Sequence, residues 1–125
     1  MNGQDRLETY RRQYAAFKPG WVPATALYER WVSQALTPET AVLDLGCGRG
    51  GIVDRLGTRG TWVGIDPDRA SLETHRVPAL PRSQGAAHRL PFEDRTFDLV
   101  VSSWVFEHLP DPARTFDEIA RVLQP

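Results

Sequence analysis

Two hydrophobic rhythms divide the chain. From Asp5 to Phe17 an otherwise polar stretch carries Leu7, Tyr10, Tyr14 and Phe17 at three- and four-residue steps, which predicts a helix with one apolar face. Lys18-Pro19-Gly20 interrupts it. Leu27, Tyr28, Trp31, Val32 and Ala35 then restore the period, with Pro23 at a first helical turn and Thr37-Pro38 at the end. The aromatic residues of both segments read as packing residues. From Ala41 the pattern shifts to short apolar runs. Ala41–Leu45, Trp62–Ile65 and Phe97–Ser102 predict strands, and Gln84–Ala87 a weaker one. Gly50–Leu56 predicts a short helix stopped by Gly57, and Asp66-Pro67 caps and starts another that reaches His75. Residues 76–83, with Pro78 and Pro81, read as loop. Asp111 followed by Pro112 opens a last helix whose buried face is expected at Phe116, Ile119, Ala120 and Leu123. Strands alternating with helices imply an α/β fold with a parallel sheet and right-handed crossovers.

Composition narrows the class of protein without naming it. The 125 residues are 41% hydrophobic and 25% charged, an ordinary globular balance that excludes collagen-like and low-complexity chains. A net charge of −1 predicts no nucleic-acid surface from bulk charge. Cys47 is the one cysteine, so neither an intrachain disulfide nor a multi-cysteine zinc site is available. No apolar run approaches the roughly 18 residues of a membrane span, and the first residues lack a signal-peptide core. These features point to a soluble protein in a reducing, cytoplasmic setting.

The densest chemistry lies in Val42-Leu43-Asp44-Leu45-Gly46-Cys47-Gly48-Arg49-Gly50-Gly51. A strand runs into glycines and a helix follows at once. Glycine lets the backbone turn tightly and lets a ligand approach, while the helix start supplies free N–H groups. Asp66 ends the next strand, 20 residues after Gly46 (66 − 46), the spacing at which a carboxylate accepts bonds from both hydroxyls of a ribose. Gly46, Gly48 and Gly51 also satisfy G-x-G-x-x-G, so a nicotinamide or flavin dinucleotide and an NAD(P)-dependent oxidoreductase remain open. Asp44 opposes that reading, because a carboxylate beside the loop repels a pyrophosphate and favours a cation. S-adenosylmethionine is a cationic nucleoside with no phosphate.

VLDLGCGRG resembles the first motif of the class I S-adenosylmethionine-dependent methyltransferases, and VGIDPD their acidic second motif. AHRLPFEDRTFDLVVSSWVFEHLPDP, followed by EIARVLQP, is similar to the later run of the small-molecule branch called type 11. The resemblance runs from Ala41 to Pro125. It implies a Rossmann-like, partly parallel sheet with flanking helices. Residues 1–40 would be an N-terminal helical lid or cap segment and residues 41–125 the S-adenosylmethionine-binding core. It also implies methyl transfer to a small-molecule acceptor by in-line displacement. Asp44, Gly46 and Gly48 would surround the methionine end of the cofactor, Asp66 would hold the ribose and Pro67 would border the adenine. Ala87 would lie at the adenine edge, and Ser103 and Trp104 would approach the methionine. His108 would face the acceptor and serve as base where the acceptor must lose a proton.

Two departures from that pattern stand out. The family has an acid before Leu-Pro-Phe, placed to accept from the adenine amine; here Ala86 stands in its place, and His88 could substitute for it, with a solvent-facing loop residue the preferred reading. The family also continues into a fifth strand after a segment like Arg121–Pro125, so the C-terminal strands are expected to be missing and the chain truncated. The outer edge of the fourth strand would then be left for a second copy or a partner chain to complete the sheet. A non-catalytic cofactor-binding fragment is the third reading. His75 is expected at the surface, and Cys47 as a small buried residue rather than a nucleophile.

Overall fold

The computed structural model describes residues 3–57, 59–103 and 105–125. The chain forms two compact units, Met1–Gln34 and Ala35–Pro125. The first contains α1 (Gly3–Phe17) and most of α2 (Ala24–Ala35), joined by the predicted Lys18-Pro19-Gly20 break. Within this unit Tyr14 packs edge-on against Trp21 at 4.8 Å, and Arg11 Nη2 donates to Thr25 Oγ1 at 3.2 Å. Tyr10, Phe17 and Trp31 are exposed, against the packing expectation, whereas Tyr28 is half-buried and Tyr14, itself half exposed, makes the ring contact with Trp21.

The second unit continues with β1 (Ala41–Leu45), α3 (Gly51–Leu56), β2 (Thr61–Asp66), α4 (Arg69–Glu73), β3 (Arg82–Gln84), β4 (Leu99–Val101) and α5 (Pro112–Val122). All four strands pair in parallel, in the order β3-β2-β1-β4. β1 is therefore internal to the sheet and buried on both faces, which is why Val42, Leu43 and Leu45 are apolar, with the buried Asp44 the exception among them. Leu43, Leu45, Ile65, Leu90, Phe97 and Val122 make the core. β4 lies at the sheet's edge, and among the described residues Phe97 pairs outward with Leu123.

Three expectations shift by a residue or more. β3 occupies Arg82–Gln84 rather than Gln84–Ala87, because the Gly64 N–H bonds to the Pro81 carbonyl and fixes the register there. The fourth strand is shorter than Phe97–Ser102, since Phe97 turns to pair with Leu123. On α5, Asp111 caps as expected, accepting from the Arg114 N–H at 3.0 Å. Its buried face, however, is Thr115 and Val122, with Ile119 half-buried, while Phe116 is 60% exposed and stacks on Phe106. The reason is a polar clamp. Arg121 donates to the Leu90 and Phe92 carbonyls and to Glu118, which accepts from the Leu90 N–H at 2.7 Å, and this rotates the helix by about one position. Val122→Ala is accordingly expected to lower unfolding free energy by about 2 kcal/mol in chemical denaturation, and Phe116→Ala by less than about 1 kcal/mol.

Candidate functional site

Because the strands are parallel, the loops that leave their C-terminal ends gather along one edge of the sheet. There they enclose a cavity of about 440 Å³. Gly46 and Gly48 contribute from the loop after β1, Asp66 and Pro67 from that after β2, Gly85–His88 from that after β3, and Ser103, Val105 and His108 from the chain after β4. Trp104 lies outside the described residues. Leu45 and Ile65, the last apolar residues of their strands, line it as well. No lysine or arginine is among the lining residues described.

The glycine loop is held by backbone bonds. The Gly46 and Cys47 N–H groups both donate to the Ile65 carbonyl, at 2.8 and 3.0 Å, tying the end of β1 to the end of β2. Gly46 has φ 73°, and a Cβ there would run into the Val105 side chain, so both conformation and space require glycine. Gly50, φ 87°, precedes α3 and lies flat against the His75 ring with no room for a side chain. His75 is thus buried rather than at the surface, a correction explained by that glycine, which opens the niche the imidazole fills. The Val77 N–H donates to His75 Nδ1 at 3.1 Å, and burial, the largest cause, holds the imidazole below its ordinary pKa.

Asp66 does not cap the following helix. Asp68 does, accepting from the Ser71 N–H and hydroxyl. Pro67 separates the two acids, and Asp66 turns back toward the glycine loop. Its Oδ2 accepts from the Gly48 N–H at 2.9 Å and its Oδ1 from the Asp68 N–H at 2.8 Å. A carboxylate oxygen has two lone pairs, so each retains capacity for a ligand hydroxyl while the side chain is fixed in place.

Asp44 lies on β1 next to Leu45, which lines the cavity, but is itself not among the lining residues. It is 3% exposed, and its Oδ2 is buried without a hydrogen-bond partner. Burial first, and the charge of Asp66 second, push its pKa up to about 7. The same surroundings act on Cys47, buried with its Sγ against Gly64. Burial, then Asp44 and Asp66, push its thiol up to about 12, which is the behaviour of a packing residue and not of a nucleophile.

At the far side of the cavity, His108 ends a single 3₁₀ turn, Phe106–His108. Its side chain is largely exposed, with Nε2 3.7 Å from Glu107 Oε1. His88 differs from its expected solvent-facing position. It is half-buried, lines the cavity and has its Nδ1 buried without a partner. Val105 lines the cavity without having been singled out in the sequence, while Ala86 and His88 were noted there only in connection with the adenine amine. The signal available was positional, since each lies just beyond a strand end.

Comparison with known proteins gives the family of the chain. The family described as methyltransferase domain matches residues 43–125. The chain belongs to this family. It is 34% identical over 107 residues to the phthiotriol/phenolphthiotriol dimycocerosates methyltransferase of Mycobacterium tuberculosis, covering 79% of this chain and 39% of that protein. It is 41% identical over 92 residues to the ribosomal protein L11 methyltransferase of Cupriavidus taiwanensis, covering 70% and 31%. Among solved structures, a SAM-dependent methyltransferase of Thermotoga maritima superposes with a TM-score of 0.65 at 26% identity, over 78% of this chain and 46% of that one. This chain therefore spans 39%, 31% and 46% of the length of these three proteins. No helix among its described residues is long and apolar enough to cross a membrane.

The raised pKa of Asp44 gives the domain a definite pH response. In the unfolded chain this carboxyl loses its proton near its ordinary 3.8, whereas the folded protein holds it up to about 7. Stability from this group is therefore complete below about pH 3.8 and is lost as pH rises toward 7. Chemical denaturation of Asp44→Asn against wild type should show the variant gaining relative stability steadily over that window and the difference levelling off above it. Gly46→Ala is expected to cost about 2 kcal/mol or more in the same measurement, from left-handed backbone and overlap with Val105.

Proposed function

We propose that this domain binds S-adenosylmethionine and serves methyl transfer to a small-molecule acceptor. The observation that carries the reading is the charge arrangement. A buried acid with an unpartnered oxygen precedes the lining residue Leu45 on β1, a second acid is fixed in the wall, and no lysine or arginine is described there. A diphosphate would meet the Asp66 carboxylate, and above about pH 7 that of Asp44 as well, with no cation among the described lining residues to offset them. A cationic nucleoside meets the Asp66 carboxylate as an acceptor pair for its diol and, once Asp44 gives up its proton, a second negative charge on β1. The volume, about 440 Å³, lies in the range of small-molecule sites.

Residues present fit such a ligand along its length. Asp66 would accept from the ribose hydroxyls and Pro67 would border the base. Gly46 and Gly48, having no side chains, would admit the amino-acid end above Asp44, with Ser103 beside it. When bound, the cofactor supplies a methyl group on a sulfonium whose departure leaves a neutral thioether, so no acid is needed at the leaving group. The domain's own work is then alignment and partial exclusion of water by Leu45, Ile65 and Val105. His108, exposed at the cavity and beside Glu107, is positioned to take a proton from an acceptor that must lose one and to return it to solvent. The named relatives differ in what they act on, so the acceptor class rests on the likeness of the sequence to the small-molecule branch.

Isothermal titration calorimetry with S-adenosylmethionine, S-adenosylhomocysteine and NADH tests this. The first two are expected to bind and NADH is not. Asp66→Ala should weaken binding at least about tenfold, because two charge-assisted hydrogen bonds are lost. Below pH 7, binding of the cation should release a proton from Asp44, read as a heat that depends on the buffer's ionisation enthalpy and vanishes in Asp44→Asn. Binding of NADH alone, or an unchanged affinity in Asp66→Ala, would overturn the proposal.

A further inference from the structure

The strand order fixes which way a ligand lies. Along the sheet edge the cavity walls come in the sequence β3 loop, β2 loop, β1 loop, β4 loop. Asp66 marks the β2 position, where a ribose diol would be held. Asp44 lies on β1, so a cationic end is drawn toward β1 and β4. The nucleobase must then extend the other way, over the loop that follows β3, Gly85–His88.

That loop offers the base little side-chain chemistry. Gly85, Ala86 and Ala87 have none that is polar, and the Ala86 carbonyl already accepts from the Arg89 N–H at 3.2 Å. His88 alone among them carries a polar side chain. Its Nδ1 has neither a partner nor access to solvent in the ligand-free structure, an arrangement that costs free energy and that a turn of the ring toward the base would relieve. The ring nitrogens of adenine are acceptors, which backbone N–H groups can satisfy. The exocyclic amine is a donor and requires an acceptor.

Building on the cofactor reading above, we propose that His88 reads the base: Nδ1, with the ring proton on Nε2, accepts a hydrogen bond from the exocyclic amine of adenine. His88 is thus a specificity-determining residue at the end of the cavity opposite His108. It touches the cofactor and takes no part in the proton chemistry of the acceptor.

The test measures S-adenosylhomocysteine and its 6-deamino analogue, which carries purine in place of adenine, on the full chain and on His88→Ala. Wild type is expected to bind the amine-bearing compound about three- to tenfold more tightly, the range of one hydrogen bond. In His88→Ala the preference should collapse to parity, with affinity for the 6-deamino analogue unchanged. His88→Gln, whose amide oxygen can accept, should restore part of the preference, and circular dichroism confirms that both variants fold. If wild type binds and its preference survives intact in His88→Ala, the assignment of His88 is wrong while the cofactor reading stands. If wild type binds neither compound, the cofactor reading fails and the assignment falls with it.

Discussion

A carboxyl group buried on the central strand with one oxygen unpartnered is the constraint around which the site is arranged. Burying Asp44 has a free-energy cost that the apolar alternatives of a central parallel strand would not incur. The neighbouring Asp66 deepens that cost, since two acids at the ends of adjacent strands repel. The fold offsets it in part by keeping the Asp44 proton up to about pH 7, and Asp66 is held in place by the Gly48 and Asp68 N–H groups. What remains is the Asp66 charge, joined by that of Asp44 above about pH 7 or when a cation draws its proton off, at a cavity whose described walls carry no basic side chain. A parallel sheet supplies the geometry: strand ends bring Asp44, Asp66, His88 and Ser103 to one edge, although they are far apart in sequence.

Much of this was readable before any coordinates. β1 matches its predicted limits because its boundary signals are covalent and local: apolar residues on one side, glycines on the other. The Asp111-Pro112 start of α5 was legible for the same reason. The glycine loop and Asp66 were legible as chemistry, and the structure brings Gly46, Gly48, Asp66, Pro67, Ala87, Ser103 and His108 to one cavity.

The misreadings share a cause, which is that long-range contacts chose between local options. Asp66 and Asp68 are both acceptable caps in sequence. The tie from Gly48 took Asp66 away and left the cap to Asp68. The buried stripe of α5 was displaced by the Arg121–Glu118 clamp onto the segment 90–92, some thirty residues distant. His75 is polar and follows a short helix, and nothing in its neighbourhood announces that Gly50 would offer it a niche. His88 has no periodicity to place it, and its position follows from where β3 stops.

The orientation of the ligand is the central claim, since the roles of Asp44, Asp66, His88 and His108 all depend on it. A crystal structure of the chain with S-adenosylhomocysteine tests it most directly. The account predicts the ribose hydroxyls on Asp66, the adenine over Gly85–His88 and the amino-acid end above Asp44 beside Gly46. Density showing the ligand reversed along the sheet edge, or bound outside this cavity, would contradict it.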